Sequence, residues 1–115
     1  MTIKEMEALS GIPRANIRFY EKEGLITPQR QSNGYREYYQ DDLDCLKRIR
    51  LLRTIHFSLE DIKALSRNER DLTELLLKHI RELQKEKQIL DQSVEICEQL
   101  CRSRVSFHSF DPQFY

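Results

Sequence analysis

The sequence has no apolar stretch long enough to cross a bilayer, and its first residues lack the charged start and apolar run of an export signal. Its three cysteines form no C-x-x-C pair, which fits a reducing compartment better than a disulfide framework. These absences predict a cytosolic protein with no membrane partner. Gly and Pro are also scarce, at three residues each, and charged residues make up 33% of the chain, as is typical of helix-rich soluble proteins.

Sequence motifs of catalysis are missing as well. The chain has no glycine-rich phosphate loop and no nucleophile motif. Its three histidines, His56, His79 and His108, are scattered along the chain and do not cluster with carboxylates. We therefore expect a protein that is not an enzyme and that needs no cofactor.

The chain also lacks an excess of charge of either sign. Lys plus Arg and Asp plus Glu both number 19, which argues against a generally basic nucleic-acid binder. The distribution softens this objection, because residues 1–70 hold 13 basic and 11 acidic side chains, whereas residues 71–115 hold 6 and 8. The small basic excess therefore lies in the first part of the chain.

The first 24 residues contain the signals of a helix-turn-helix. Thr2 and Glu5 have the spacing of a capping box, which predicts a first helix over about residues 3–9. A tight turn containing Gly11 follows, and Pro13 suits the start of a second helix because it lacks an N–H. Gly24 is placed to end that helix in the left-handed conformation. Two short helices joined by a glycine turn are typical of DNA-binding heads.

The next segment predicts a wing and two further helices. Asn33-Gly34 is a strong hairpin signal, so a two-stranded wing is expected between Thr27 and Tyr39. Apolar periodicity then predicts an amphipathic helix over residues 41–53. Ser58, with Asp61 three residues later, predicts the start of a fourth helix. The four basic residues on the outside of the third helix are Lys47, Arg48, Arg50 and Arg53.

A long helix with one apolar seam is predicted over residues 71–102, at about 1.5 Å per residue or roughly 48 Å in length. A seam that the head cannot cover requires another helix, which predicts a homodimeric coiled coil. Lys87 favours antiparallel pairing, because a parallel register would place two ammonium groups face to face. The predicted dimerisation residues are Leu76, Ile80, Leu83, Lys87, Leu90, Val94, Cys97 and Cys101.

Cys97 and Cys101 allow a second interpretation. Two thiols one helical turn apart could bind a soft metal, with His108 or the partner chain completing the site, or could sense oxidants. Both positions fall on the seam, where small apolar side chains are wanted, so packing is the preferred interpretation and no metal site is assigned.

The tail, residues 103–115, is rich in aromatic side chains. It either folds back on the dimer or begins an effector domain that is absent here, and the second interpretation is favoured.

Five short motifs occur in fixed order and spacing in the first 62 residues. They are Ile17-Arg18-Phe19-Tyr20-Glu21, Gly24-Leu25-Ile26, Asn33-Gly34-Tyr35-Arg36 with Tyr38, Asp42-Leu43, and Phe57-Ser58-Leu59-Glu60-Asp61-Ile62. With these motifs, the sequence resembles the MerR family of bacterial transcriptional regulators from residue 2 to about residue 100. His56 stands where the family usually has glycine, so a positive φ is expected there. Pro13 and Asn16 stand where Ser and Thr are common in the family, so the base preference of family members cannot be transferred to this sequence.

The resemblance implies a mainly α fold with a winged helix-turn-helix head at residues 1–70, a dimerisation helix at 71–102 and the tail at 103–115. It also implies a dimer that distorts double-stranded promoter DNA, in response to an effector, so that RNA polymerase can engage the promoter. The DNA-binding residues carried over are Arg14, Asn16, Arg18, Tyr20, Arg36 and Tyr38, with Lys47, Arg48 and Arg53 as further phosphate contacts. A coiled-coil scaffold whose head binds protein is the rival interpretation, and it would show no salt-dependent DNA affinity.

Overall fold

The computed structural model describes all 115 residues, which form two compact units, residues 1–72 and residues 73–115. The predicted mainly α architecture is confirmed, with five α-helices and one small antiparallel hairpin. The elements are α1 (Ile3–Ser10), α2 (Arg14–Lys22), β1 (Gln29–Arg30), β2 (Arg36–Glu37), α3 (Gln40–Thr54), α4 (Leu59–Ser66), α5 (Leu72–Ser103) and a terminal 3₁₀ turn (Pro112–Phe114). No helix has both the length and the apolar character needed to cross a membrane.

Local signals decide where the first helices begin and end. The Thr2 hydroxyl accepts a hydrogen bond from the Glu5 N–H at 3.2 Å, as the capping box predicts. Gly11 ends α1 with φ +72°, and Gly24 follows α2 with φ +80°. His56 has φ +68° in the turn between α3 and α4, so the positive φ expected from sequence is present.

The core of the first unit lies between α1, α2, α3 and α4. Helix α1 packs against α2 and α3, and α3 packs against α4. Tyr38 and the chain start close one side of this core, because the Tyr38 N–H donates to the Met1 carbonyl at 2.9 Å. The fully buried side chains of the unit include Met6, Ile17, Tyr38, Leu46 and Phe57.

The second unit consists of α5 and the aromatic tail. The tail packs on itself, with ring centroids 6.4 Å apart for Phe107 and Phe110 and 6.5 Å apart for Phe110 and Tyr115. The Tyr115 hydroxyl donates to Ser103 Oγ at 3.2 Å, which ties the chain end to the end of α5. Phe107 and Phe114 remain exposed.

Candidate nucleic-acid interface

An open groove lies between the start of α1, helix α2 and the wing. Three of the predicted DNA-binding residues line it together, namely Arg14 and Arg18 from α2 and Arg36 from β2. Lys4 and Tyr35, which were not among the predicted DNA-binding residues, line the same groove. The groove therefore gathers four cationic side chains and an exposed aromatic ring, which is the combination that grips a phosphate backbone.

Acidic side chains near the groove are paired with cations. Glu7 accepts a hydrogen bond from the Arg14 backbone N–H at 2.6 Å, and this bond together with the Arg14 side chain lowers the pKa of Glu7. Glu37, which lines the groove itself, accepts from the terminal ammonium of Met1 at 2.9 Å and from the Gln31 amide at 3.1 Å. Each of these pairs is close to neutral, so the carboxylates offset part of the positive potential of the groove, and their main effect is to hold the cationic groups in place.

Glu21 joins the second helix to the wing. Its carboxylate accepts from Arg36 Nε at 2.8 Å, and this hydrogen bond raises the pKa of Arg36. The Tyr38 hydroxyl donates to the other oxygen of Glu21 at 3.5 Å. Arg36 keeps about a third of its side chain exposed, so its remaining N–H groups can reach a ligand while Nε is held.

Tyr38 departs from the expectation that it lies on the DNA surface. Its side chain is fully buried, and burial raises the pKa of its hydroxyl, with Glu21 adding to the effect. Tyr38 follows the two-residue strand β2, and its ring packs in the core. In this structure Tyr38 supports the wing from beneath and does not present its hydroxyl at the surface.

The other predicted contacts lie outside the groove. Asn16 is exposed on α2, and Tyr20 is half-buried with its ring centroid 5.7 Å from that of Phe19. Lys47 is exposed on α3, whereas Arg48 borders an apolar hollow formed mainly by α3 and α4. Arg53 Nη1 donates to the Phe57 carbonyl at 2.8 Å. The structure thus groups Arg14, Arg18 and Arg36, and it leaves the three residues predicted on α3, Lys47, Arg48 and Arg53, apart from them.

The sequence contained a signal for Tyr35, which sits at the hairpin tip. Asn33 Oδ1 accepts from the Tyr35 N–H at 3.1 Å, and Gly34 has φ +84°, so the turn projects the ring into solvent with 73% of the residue exposed. Lys4 had no such signal, because its place at the groove depends on how α1 is rotated against α2.

The predicted seam of α5 carries exposed apolar side chains. Ile80, Leu90 and Val94 are 48%, 65% and 54% exposed, and Leu76 and Leu83 are half-buried. Leu90, Val94, Cys97 and Cys101 border one shallow apolar hollow along the helix. Lys87 is exposed on the same helix.

The cysteines of the second unit are free thiols on the α5 surface. His108 lies in the tail with its ring centroid 5.2 Å from that of Phe107. No three His, Cys, Asp or Glu side chains of the structure are grouped as a metal site would require.

Comparison with known proteins shows which family has this head. Residues 1–69 match the model of the MerR helix-turn-helix family of regulatory proteins. The chain belongs to the MerR family. This finding confirms the family that was identified from the sequence. Because the family consists of transcription regulators, the prediction of a regulator rather than an enzyme is confirmed as well.

Relatives of this MerR-family chain include the transcriptional regulator HmrR of Rhizobium leguminosarum bv. viciae. It is 34% identical over 111 residues, a match that covers 84% of this chain and 86% of that protein. The chain spans only 63% of the length of two other rhizobial relatives, the HmrR of Sinorhizobium medicae and a heavy metal-dependent regulator of Rhizobium meliloti.

Two solved structures share the fold of this family member. PbrR691 from Ralstonia metallidurans CH34, in complex with lead(II), is 26% identical with a TM-score of 0.75, covering 95% of this chain and 93% of that one. HiNmlR, a MerR family regulator lacking the sensor domain and bound to promoter DNA, is 24% identical with a TM-score of 0.61, covering 89% of this chain and 83% of that one. The latter likeness concerns the fold alone.

Proposed function

We propose that this MerR-family regulator is a homodimer that binds double-stranded promoter DNA through the groove between α1, α2 and the wing. The observation that carries the proposal is the convergence of Lys4, Arg14, Arg18 and Arg36 on one open groove. Helix α2 enters the major groove, and the wing holds phosphates on the adjacent backbone. The DNA-bound HiNmlR, which shares this fold, gives a precedent for promoter DNA as the ligand.

The pairing of acids and bases fits this ligand. Glu7 and Glu37 are held by Arg14 and the terminal ammonium, and Glu21 fixes the wing arginine beside the helix. A phosphate approaching the groove therefore meets cations that are already oriented. Preorganised cations lose less side-chain entropy on binding than free ones, which favours a defined docking position.

Dimer formation is supported by the exposed seam of α5. The helix is 32 residues long, which corresponds to about 48 Å, and the apolar seam residues Ile80, Leu90 and Val94 are exposed in the single chain. A soluble helix with such a stripe is stabilised when a second helix buries it. Antiparallel pairing gives each Lys87 a different neighbour, and the dimer supplies two recognition helices, which address successive major grooves.

Regulation follows from deformation of the DNA held by the two heads. In response to an effector, a dimer that bends and untwists its promoter changes the alignment of the elements that RNA polymerase contacts. Such a protein acts in the bacterial cytoplasm, where the promoter is. Lys47, Arg48 and Arg53 are proposed as further phosphate contacts along α3.

Salt-dependent binding tests the interface. The duplex is a promoter fragment from upstream of the protein's own gene, and affinity is measured by fluorescence anisotropy between about 50 and 200 mM salt. Wild type should bind with a steep salt dependence. Arg18→Ala should weaken binding and reduce the slope by about 0.9 for each lost phosphate contact, or about 1.8 for a dimer.

The matched control is Arg81→Ala, which removes the same charge from an exposed position of α5 outside the seam. It should leave affinity and slope unchanged. Equal losses for Arg18→Ala and Arg81→Ala would show that the groove is not the DNA site. Salt-independent behaviour of the wild type would favour the scaffold interpretation.

A further inference from the structure

Helix α2 carries an apolar patch on the side opposite its buried face. Ile17 is fully buried and points into the core. At 100° per residue, Ala15 and Phe19 lie on the face farthest from Ile17, one helical turn apart. Both are exposed, and Phe19 keeps 44% of its surface in solvent. The most outward position of the helix is therefore occupied by a phenyl ring.

The ring is held in place and has charged neighbours. Its centroid lies 5.7 Å from that of Tyr20 at an interplanar angle of 56°, so the ring has an aromatic neighbour while 44% of the residue stays in solvent. Arg18 is exposed next to it on the side of the cationic groove, and Lys22 is exposed one turn further along. An apolar protein surface would have to desolvate these cations, whereas DNA accepts both the cations and the ring.

The major groove offers one prominent apolar group to such a ring, the C5-methyl of thymine. Apolar side chains read thymine through that methyl, and no other base edge presents an equivalent group. With the proposed DNA-binding function as its basis, the geometry points to a specificity role: we propose that Phe19, with Ala15 beside it, recognises thymine methyl groups in each half-site. Neither residue belongs to the charged set that holds the backbone.

Replacing thymine by uracil tests this without changing the protein. The full-length protein first selects duplexes from a random library, and the enriched duplex is then synthesised with single thymine-to-uracil replacements, each of which removes one methyl. Wild type should lose about fourfold in affinity at one or more positions of each half-site, the change expected for one buried methyl. Phe19→Ala should bind the thymine and uracil duplexes equally.

Phe107→Ala is the matched control, since Phe107 is 82% exposed in the tail. It should keep the wild-type preference for thymine, and circular dichroism melting verifies that Phe19→Ala is folded. Wild type that tolerates uracil everywhere, an enriched half-site without thymine, or a Phe19→Ala protein with the wild-type penalties would each overturn the proposal. If the wild type enriches no duplex at all, the DNA-binding function itself fails, which is a different result from indifference to the methyl.

Discussion

A side chain at Gly11, in the turn between α1 and α2, should lower the free energy of unfolding. Its φ of +72° is one that alanine adopts at a cost of about 1–2 kcal/mol. A Cβ built there would also collide with Arg50 Nη1 and lie 2.9 Å from Arg50 Cζ. That guanidinium donates to the Ser10 carbonyl at 3.1 Å, so displacing it forfeits about 1 kcal/mol more. Gly11→Ala should therefore destabilise the protein by about 2–3 kcal/mol in urea unfolding.

The two parts of this cost can be separated. In an Arg50→Ala background the collision and the hydrogen bond are both gone, so Gly11→Ala should cost only the backbone strain, about 1–2 kcal/mol. Gly24→Ala is the control, because Gly24 has φ +80° and nothing within 4 Å of its would-be Cβ. Its cost should be the same in both backgrounds. A Gly11→Ala penalty that is equally large with and without Arg50 would refute the packing of this turn.

Two further predictions concern other parts of the chain. The hydrogen bond from Lys63 lowers the pKa of Glu23 below its ordinary value of 4.5. The pair therefore stabilises the fold at pH values above 4.5, and this stabilisation is lost as the pH falls through the lower pKa of the folded state. The difference in melting temperature between wild type and Glu23→Gln should thus shrink between about pH 7 and pH 3, and a constant difference would contradict it. Leu90→Glu should yield monomers in analytical ultracentrifugation, since it puts a carboxylate on the apolar seam, whereas Gln92→Glu, off the seam, should remain dimeric. A dimeric Leu90→Glu protein would exclude this seam as the interface.

The sequence predicted features that are decided by neighbouring residues. The cap at Thr2, the hairpin at Asn33-Gly34 and the positive φ at His56 depend on interactions within a few residues, and each is present. The long helix was also readable, because its apolar seam repeats over many turns. Its bounds in the structure, Leu72–Ser103, lie within one residue of those expected.

Features that depend on packing between distant segments could not be read in this way. Glu21 and Arg36 are 15 residues apart, and nothing in their spacing indicates that they pair. The burial of Tyr38 was missed because this residue lies just after the two-residue strand β2 and is placed by packing against distant segments, such as the Met1 backbone. For Lys4 and Arg48, periodicity shows only that both side chains lie outside the core. How the helices pack decides that Lys4 borders the groove and Arg48 does not.

The most direct test of the DNA-binding account is a footprint upstream of the protein's own gene. The account predicts protection of two half-sites related by a two-fold axis, loss of that protection with Arg18→Ala, and its retention with Arg81→Ala. Analytical ultracentrifugation should show that Arg18→Ala is still a dimer. No protected site, or protection that survives Arg18→Ala unchanged, would contradict the assignment of α2 and its groove as the DNA-binding surface.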